Sequence, residues 1–276
     1  MDFEQGSDYR PVTRGMQILL LAASVLVFLI GIPLVLLTTQ TESYFAWTIG
    51  SALTAAFLGG AYWSSGVLEL MAAREKWWAN ARIAVPAVLL FTVLTLVVTL
   101  LHIDKFHFDA PAGHTVAGTW AWLVVYAVVP VIMGWLLLKQ RTLAGGDPPR
   151  LKTLSTGIKV VLLGQALIMF PIGLGLFLFP LEVAAIWPWG LTALTGRAIG
   201  AWLISIGVIA AHAVYENDWA RLRTFAASYT ILAIMQLIAL LRFGNEIEWG
   251  TLGGWFYLLF LLSIGVVGVY GLLQQR

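Results

Sequence analysis

The chain has 276 residues, of which 60% are hydrophobic and only 11% charged, and its formal net charge is +2. Soluble globular domains carry about 25% charged residues, so a mean hydropathy of +0.87 places most of this sequence in lipid. No cysteine is present, which excludes disulfides, thiolate metal centres and cysteine nucleophiles, and so small a net charge gives no reason to expect nucleic acid as a partner.

The opening stretch, MDFEQGSDYRPVTRG, is polar and acid-bearing. It lacks the basic start of a secretory signal, and the apolar run behind it is too long for a signal core. That run, Met16 to Leu37, is the first predicted membrane span. Further spans are predicted at Trp47–Ala72, Ile83–Leu101 and Trp120–Leu138, each near the roughly 17–25 residues that cross a bilayer. The connector that follows holds Gly145-Gly146-Asp147-Pro148-Pro149, the strongest breaker cluster in the chain. It divides the sequence into a first unit, residues 1–140, a linker, 141–156, and a second unit, 157–276. Spans in the second unit are predicted at Ile158–Phe179, Thr195–Val214, Thr224–Leu241 and Leu252–Leu273.

The two units echo each other. At one constant offset Ala52-Leu53-Thr54 falls on Ala193-Leu194-Thr195, Gly59 on Gly200, Glu75 on Glu216, Trp78 on Trp219 and Arg82 on Arg223. Gly15 and Gly31 likewise fall on Gly157 and Gly173. Such self-similarity is the signature of a repeated architecture. The expected fold is therefore an all-α polytopic membrane protein, eight transmembrane helices arranged as two parallel four-helix repeats about a pseudo-two-fold along the membrane normal. Of the Lys and Arg residues, only Lys105, Arg197 and Arg242 fall in one set of alternate connectors. The positive-inside rule then puts the other set, with the N- and C-termini, in the cytoplasm. Tyr44, Trp47, Trp78, Trp120, Trp189 and Trp219 lie near span ends, where an aromatic belt is expected. Ala55 and Gly59, Ala56 and Gly60, and Gly196 and Gly200 are spaced for close helix approach. They predict that the second and sixth helices form the contact between the units.

The recurring E-x-x-W-A-x-x-R turns (Glu75, Trp78, Arg82 and Glu216, Trp219, Arg223) read as corners between spans. In that reading Trp anchors at the headgroups, and Glu pairs with Arg within a hairpin or across the two-fold; a docking face for a partner is the functional alternative. The units differ in three costly places: Arg197 stands opposite Ala56, Glu69 opposite Ala210 and His212 opposite Met71. An ionisable group within a span is a functional-site hypothesis by default, although near a span end a long side chain can snorkel outward. Glu182 or a lipid phosphate is the expected structural partner of Arg197.

The uncharged polar groups within spans are Tyr62, Ser64, Ser65, Thr92, Thr95, Gln165, Ser205, Tyr229 and Gln236. They either bond neighbouring helices or line a path for a neutral solute. Ser64, Ser205, Glu69 and Arg197 are the binding candidates. His102, His107 and His114 crowd one connector with Asp104 and Asp109. These are metal-ligand types, with His102, Asp104 and His107 the closest approach to a ligand set, but their spacing matches no metalloenzyme signature and the segment reads as a polar lid. No metal or other cofactor is expected.

No lysine lies mid-span to carry a Schiff-base chromophore, and G-x-S-x-G, H-E-x-x-H and P-loop patterns are missing. Catalysis is left with Glu69, Arg197 and the His/Asp connector, which lie at opposite faces, so the sequence leans away from an enzyme. The expected function is a transporter or binding protein for a neutral or largely apolar small solute, with an accessory, scaffold or lipid-handling subunit of a membrane complex as the alternative. Its expected partners are membrane lipids, that solute, and a membrane protein or a second copy of the chain. A bacterial inner membrane is the expected location.

Overall fold

The structure is a computed structural model in which residues 9–275 are described. Eight long helices carry the described chain, which contains no strand: α1 (Arg14–Leu36), α2 (Ala52–Ala73), α3 (Ala84–Leu101), α4 (Gly113–Thr142), α5 (Thr156–Leu178), α6 (Ala193–Glu216), α7 (Arg223–Phe243) and α8 (Leu252–Leu273). All but α2 are long and apolar enough to cross a membrane, 7 helices in total, which makes this a multi-pass membrane protein. The central part of α2 is diluted by Gly59, Gly60, Tyr62, Trp63, Ser64, Ser65 and Gly66. The reason it can be less apolar is its position: from Leu53 to Glu69 only Trp63 and Val67 escape full burial, so protein rather than lipid surrounds it.

Local chemistry sets the helix starts. Thr13 and Ser155 cap α1 and α5 by accepting from the amides of Met16 and Ile158, and Ser51 caps α2 by accepting from Thr54. Thr192 and Thr195 form a reciprocal capping box on α6. Asn217, at φ 50°, ends α6 in the left-handed conformation that closes a helix C-terminus. At the expected second span the helix begins only at Ala52, because Trp47 is held in an isolated antiparallel bridge to Phe106.

Packing follows the small residues, but not as the sequence suggested. Helix α1 lies along α2, and α5 along α6; α2 packs on α7 and α3 on α6, while α4 covers α3 and α8 covers α7. Gly200 meets α5 backbone to backbone: a Cβ there would lie 2.7 Å from the Gly173 carbonyl oxygen and 2.9 Å from the Phe177 nitrogen. A Cβ at Gly59 would lie 2.7 Å from Val35 of α1, and one at Gly60 2.9 Å from Met235 of α7. These glycines thus bind α2 to α1 and α7, and α6 to α5. The expected direct contact between α2 and α6 is corrected to a slight touch, and the units join through α2–α7 and α3–α6 instead.

The connectors at the two ends are built in matched ways. At the basic end, Arg10 and Lys152 each present a carbonyl to a tryptophan amide, Trp78 and Trp219 respectively, both at 2.9 Å. At the opposite end single 3-10 turns, Ile103–Lys105 and Gly244–Glu246, precede amides that donate back to earlier loops, His107 to Ala46 and Glu248 to Pro188. The aromatic belt also needs correction. Trp47, Trp78, Trp189 and Trp219 are buried at 5% exposure or less, whereas Tyr44 and Trp120 are exposed. The first four are packing residues: the Trp219 ring sits where a Cβ on Gly271 of α8 would be, and Trp189 donates to Thr54 Oγ1 at 2.8 Å.

Candidate functional site

At the basic end one ion pair links the two corner motifs, Arg82 of the first with Glu216 of the second. Arg82 binds Glu216 with both nitrogens of its fork, Nε at 2.5 Å and Nη2 at 2.7 Å, the planar geometry that suits a carboxylate. Arg221 reaches the same carboxylate at 3.2 Å, and His212 Nε2, one turn before it on α6, lies 3.2 Å from Glu216 Oε1. Asp147 of the linker closes the cluster, 2.6 Å from Arg82 and 3.5 Å from Arg221. The Glu216 side chain is fully buried and that of Arg221 nearly so. Glu75 and Arg223 form no ion pair among the described residues; Glu75 accepts from Asn80 at 3.1 Å and Arg223 is exposed. The sequence pointed to Glu216 and Arg82 through the repeated motif. It did not single out Arg221 or Asp147, since neither belongs to that motif and only the folded linker brings Asp147 over the corner.

Arg197 turns out to cap a helix. Its Nε donates to the Phe177 carbonyl in the last turn of α5 at 3.1 Å, and Nη1 lies 2.8 Å from His102 Nε2. A cation on the last carbonyls of a helix is favoured by the helix dipole. Arg242 does the same for α1, donating to the Val35 carbonyl at 2.5 Å. Glu182, the expected partner of Arg197, is not paired with it in the described structure. Burial, then the Arg197 charge, hold the His102 imidazole below its ordinary value of 6.5. His102 accepts from Arg197 only as the neutral ring.

The remaining connector histidines go elsewhere. His107 Nε2 meets Thr48 Oγ1 and its Nδ1 the Phe45 carbonyl, both at 3.0 Å, and His114 Nε2 meets the Ser43 carbonyl at 3.0 Å. Asp104 pairs with Lys105 at 2.9 Å. Among the described residues no group of three His, Asp or Glu side chains is placed to hold a metal ion.

Ser64 and Ser205 come together. Both line a cavity of about 40 Å³ where α2, α3, α6 and α7 meet, with Ser65, Ser228 and Tyr229. Ser64 Oγ donates to Ser228 across α2–α7 at 2.9 Å, and Ser205 Oγ donates within α6 to the Ala201 carbonyl at 2.8 Å. Glu69 sits behind Ser65, whose hydroxyl lies 2.9 Å from Glu69 Oε1. Several other polar groups in the helices bond between helices. Tyr62 and Tyr126 share a bond of 2.8 Å, Gln165 donates to Ser263 at 3.0 Å, and Gln236 donates to the Phe57 carbonyl at 2.9 Å.

Two larger crevices, neither signalled by any motif, open on the lipid-facing side of the bundle. One, of about 160 Å³, lies between α5, α6, α7 and α8 beneath the loop holding Trp187 and Pro188. Its wall is apolar save for Gln236, Tyr257 and the unpartnered indole N–H of Trp187, and the Tyr257 hydroxyl donates to Gln236 Oε1 at 3.2 Å. The other, of about 280 Å³, lies between α1 and α4 beneath Tyr44 and Phe45. Each is assembled from several separate helices, so no local motif marks either. No known protein family, curated protein or solved structure matches this chain.

Proposed function

We propose that this multi-pass membrane protein binds a neutral, largely apolar small molecule in the crevice between α5 and α8. That crevice, about 160 Å³, carries the reading. The Gln236 amide and the Tyr257 hydroxyl already bond each other, and Gln236 also bonds the Phe57 carbonyl, so an aliphatic or ring-shaped guest would strand neither of them. Apolar walls with a few oriented polar groups are the usual make-up of a small-molecule site. Exposed Ile186 and Phe256 at the rim give a guest access from lipid.

The architecture we propose for it is eight spans in two parallel four-helix repeats. Support comes from the matched caps at Thr13 and Ser155, the matched strap bonds onto Trp78 and Trp219, and the matched 3-10 turns. Helix α2 is the eighth span, less apolar because neighbours enclose it. The basic end with both termini faces the cytoplasm, from the bias of Lys and Arg, and the compact connectors suit a bacterial inner membrane.

The crevice is tested with a neutral fatty alcohol bearing a diazirine, photolysed with the protein in nanodiscs. Label is expected on α5 and α8, several-fold weaker in Gly253→Leu, which places a side chain at the crevice wall. Label spread evenly over all lipid-facing helices, unchanged in G253L, would sink the reading. The small volume at the junction of the units, about 40 Å³, has room for a water or two rather than a solute path. It favours, as second reading, an accessory or lipid-handling subunit over a transporter. Native mass spectrometry from nanodiscs separates these: a stoichiometric second protein supports the subunit, a retained small molecule the binding protein.

A further inference from the structure

Glu69 and the cavity at the junction of the units share a feature: buried side-chain oxygens with no hydrogen-bond partner. The Glu69 side chain is buried at 1% exposure, and its Oε2 accepts no hydrogen bond. The Tyr229 hydroxyl, on the wall of the 40 Å³ cavity, is likewise buried and unpartnered. Ser65 connects the two: it lines that cavity, and its hydroxyl bonds Glu69 Oε1 at 2.9 Å. On its other side Glu69 faces a second, smaller cavity of about 20 Å³ between α1, α3 and α4.

The surroundings decide the chemistry. The residues that line the smaller cavity with Glu69 are Ala23, Leu26, Val27 and Ile30 from α1, Val88, Phe91 and Thr92 from α3, and Val125, Tyr126 and Val129 from α4. None of these is a cation, and Tyr126, the one titratable group among them, is engaged with Tyr62. Glu69 takes part in no ion pair among the described residues, in contrast to Glu216 with its three basic neighbours. An unpaired carboxylate inside a membrane protein is strongly disfavoured. A neutral acid there can instead give its proton to water, and unsatisfied buried polar groups in a cavity of this size are what ordered water satisfies.

We propose that the junction cavity is hydrated and that Glu69 is a proton-binding site exchanging with it through Ser65. The step is a relay. The carboxyl O–H bond breaks as its proton passes to the Ser65 oxygen, the Ser65 hydroxyl gives its own proton to a cavity water, and the carboxylate left behind is held by the re-formed Ser65 hydroxyl until the reverse shuttle returns a proton. The second unit has no counterpart, since Ala210 occupies the equivalent position, so the site is single. It is independent of the apolar crevice and stands or falls separately from it.

The test is infrared spectroscopy of the protein in nanodiscs near neutral pH, before and after transfer to deuterated buffer. A carboxylic-acid carbonyl band is expected in the wild type, shifting promptly on deuteration and missing from Glu69→Gln. Lack of any band that E69Q removes would mean an ionised Glu69 and overturn the proposal. A band that resists deuterium over hours would overturn hydration of the cavity. Ser65→Ala keeps the carboxyl and provides a second handle should E69Q fold poorly. Its band should persist while exchange slows roughly tenfold, the rate equivalent of one lost hydrogen bond to a charged acceptor; exchange at the wild-type rate would rule out the route through Ser65.

Discussion

Among single residues, Glu216 has the most at stake. Its carboxylate is fully buried and is shared by Arg82, Arg221 and His212. Removing one member of such a group leaves charge buried without compensation, which costs about 3–5 kcal/mol. Glu216→Gln is therefore expected to lower stability by about that much, read by thermal unfolding in nanodiscs. Arg82→Gln should cost less because that side chain keeps 18% exposure. The double variant should fall short of the sum, as coupled neighbours do. Strict additivity would show that the two groups do not act on each other. The sequence made this pair legible by repeating its motif. It gave no means of telling that Glu75 and Arg223, placed in the same pattern, would stay apart.

For the helices, the decisive interactions are close approaches rather than hydrophobic matching, since lipid is as apolar as any side chain. Gly200→Ala would press a methyl group into the backbone of α5, with Gly173 and Phe177 as the immovable neighbours. Overpacking of that kind costs about 1–3 kcal/mol. Gly164→Ala, also in α5 but with nothing within 4 Å of its Cβ, should be neutral or stabilising by up to about 1 kcal/mol through helix propensity. Equal melting temperatures for the two variants would count against a glycine-mediated α5–α6 contact. The spacing of these small residues was readable in sequence, and their helices were found to within a few residues. Their partners were not, because spacing says that something approaches closely and not which helix does. The same limit explains Trp78 and Trp219, which look like headgroup anchors by position but are enclosed by the neighbouring elements.

In the molecule as a whole, the straps and the charged cluster gather at one end, and the helix-capping arginines Arg197 and Arg242 at the other. If the basic end is cytoplasmic, a cysteine at the exposed Ala144 in the linker should react with an impermeant thiol reagent only after cells are opened. One at Gly250, between α7 and α8, should react in intact cells. The chain has no cysteine of its own, so either label is unambiguous. The reverse pattern would invert the topology, and labelling of both in intact cells would refute an end-to-end arrangement of these connectors.

Composition and hydrophobic run length settled by themselves that this is a helical membrane protein, because a chain so poor in charge has few other ways to satisfy its backbone in lipid. Glycine spacing likewise marked, from local chemistry alone, which helices are approached closely. The tertiary structure decided what depends on distant segments meeting: α2–α7 and α3–α6 as the joins, Asp147 over the corner, Ser64 and Ser205 around one cavity, and Glu69 without a cation. Those outcomes turn on which helix faces lie together in three dimensions. Periodicity along one helix fixes its own faces and leaves the choice of neighbour to the packing of the whole.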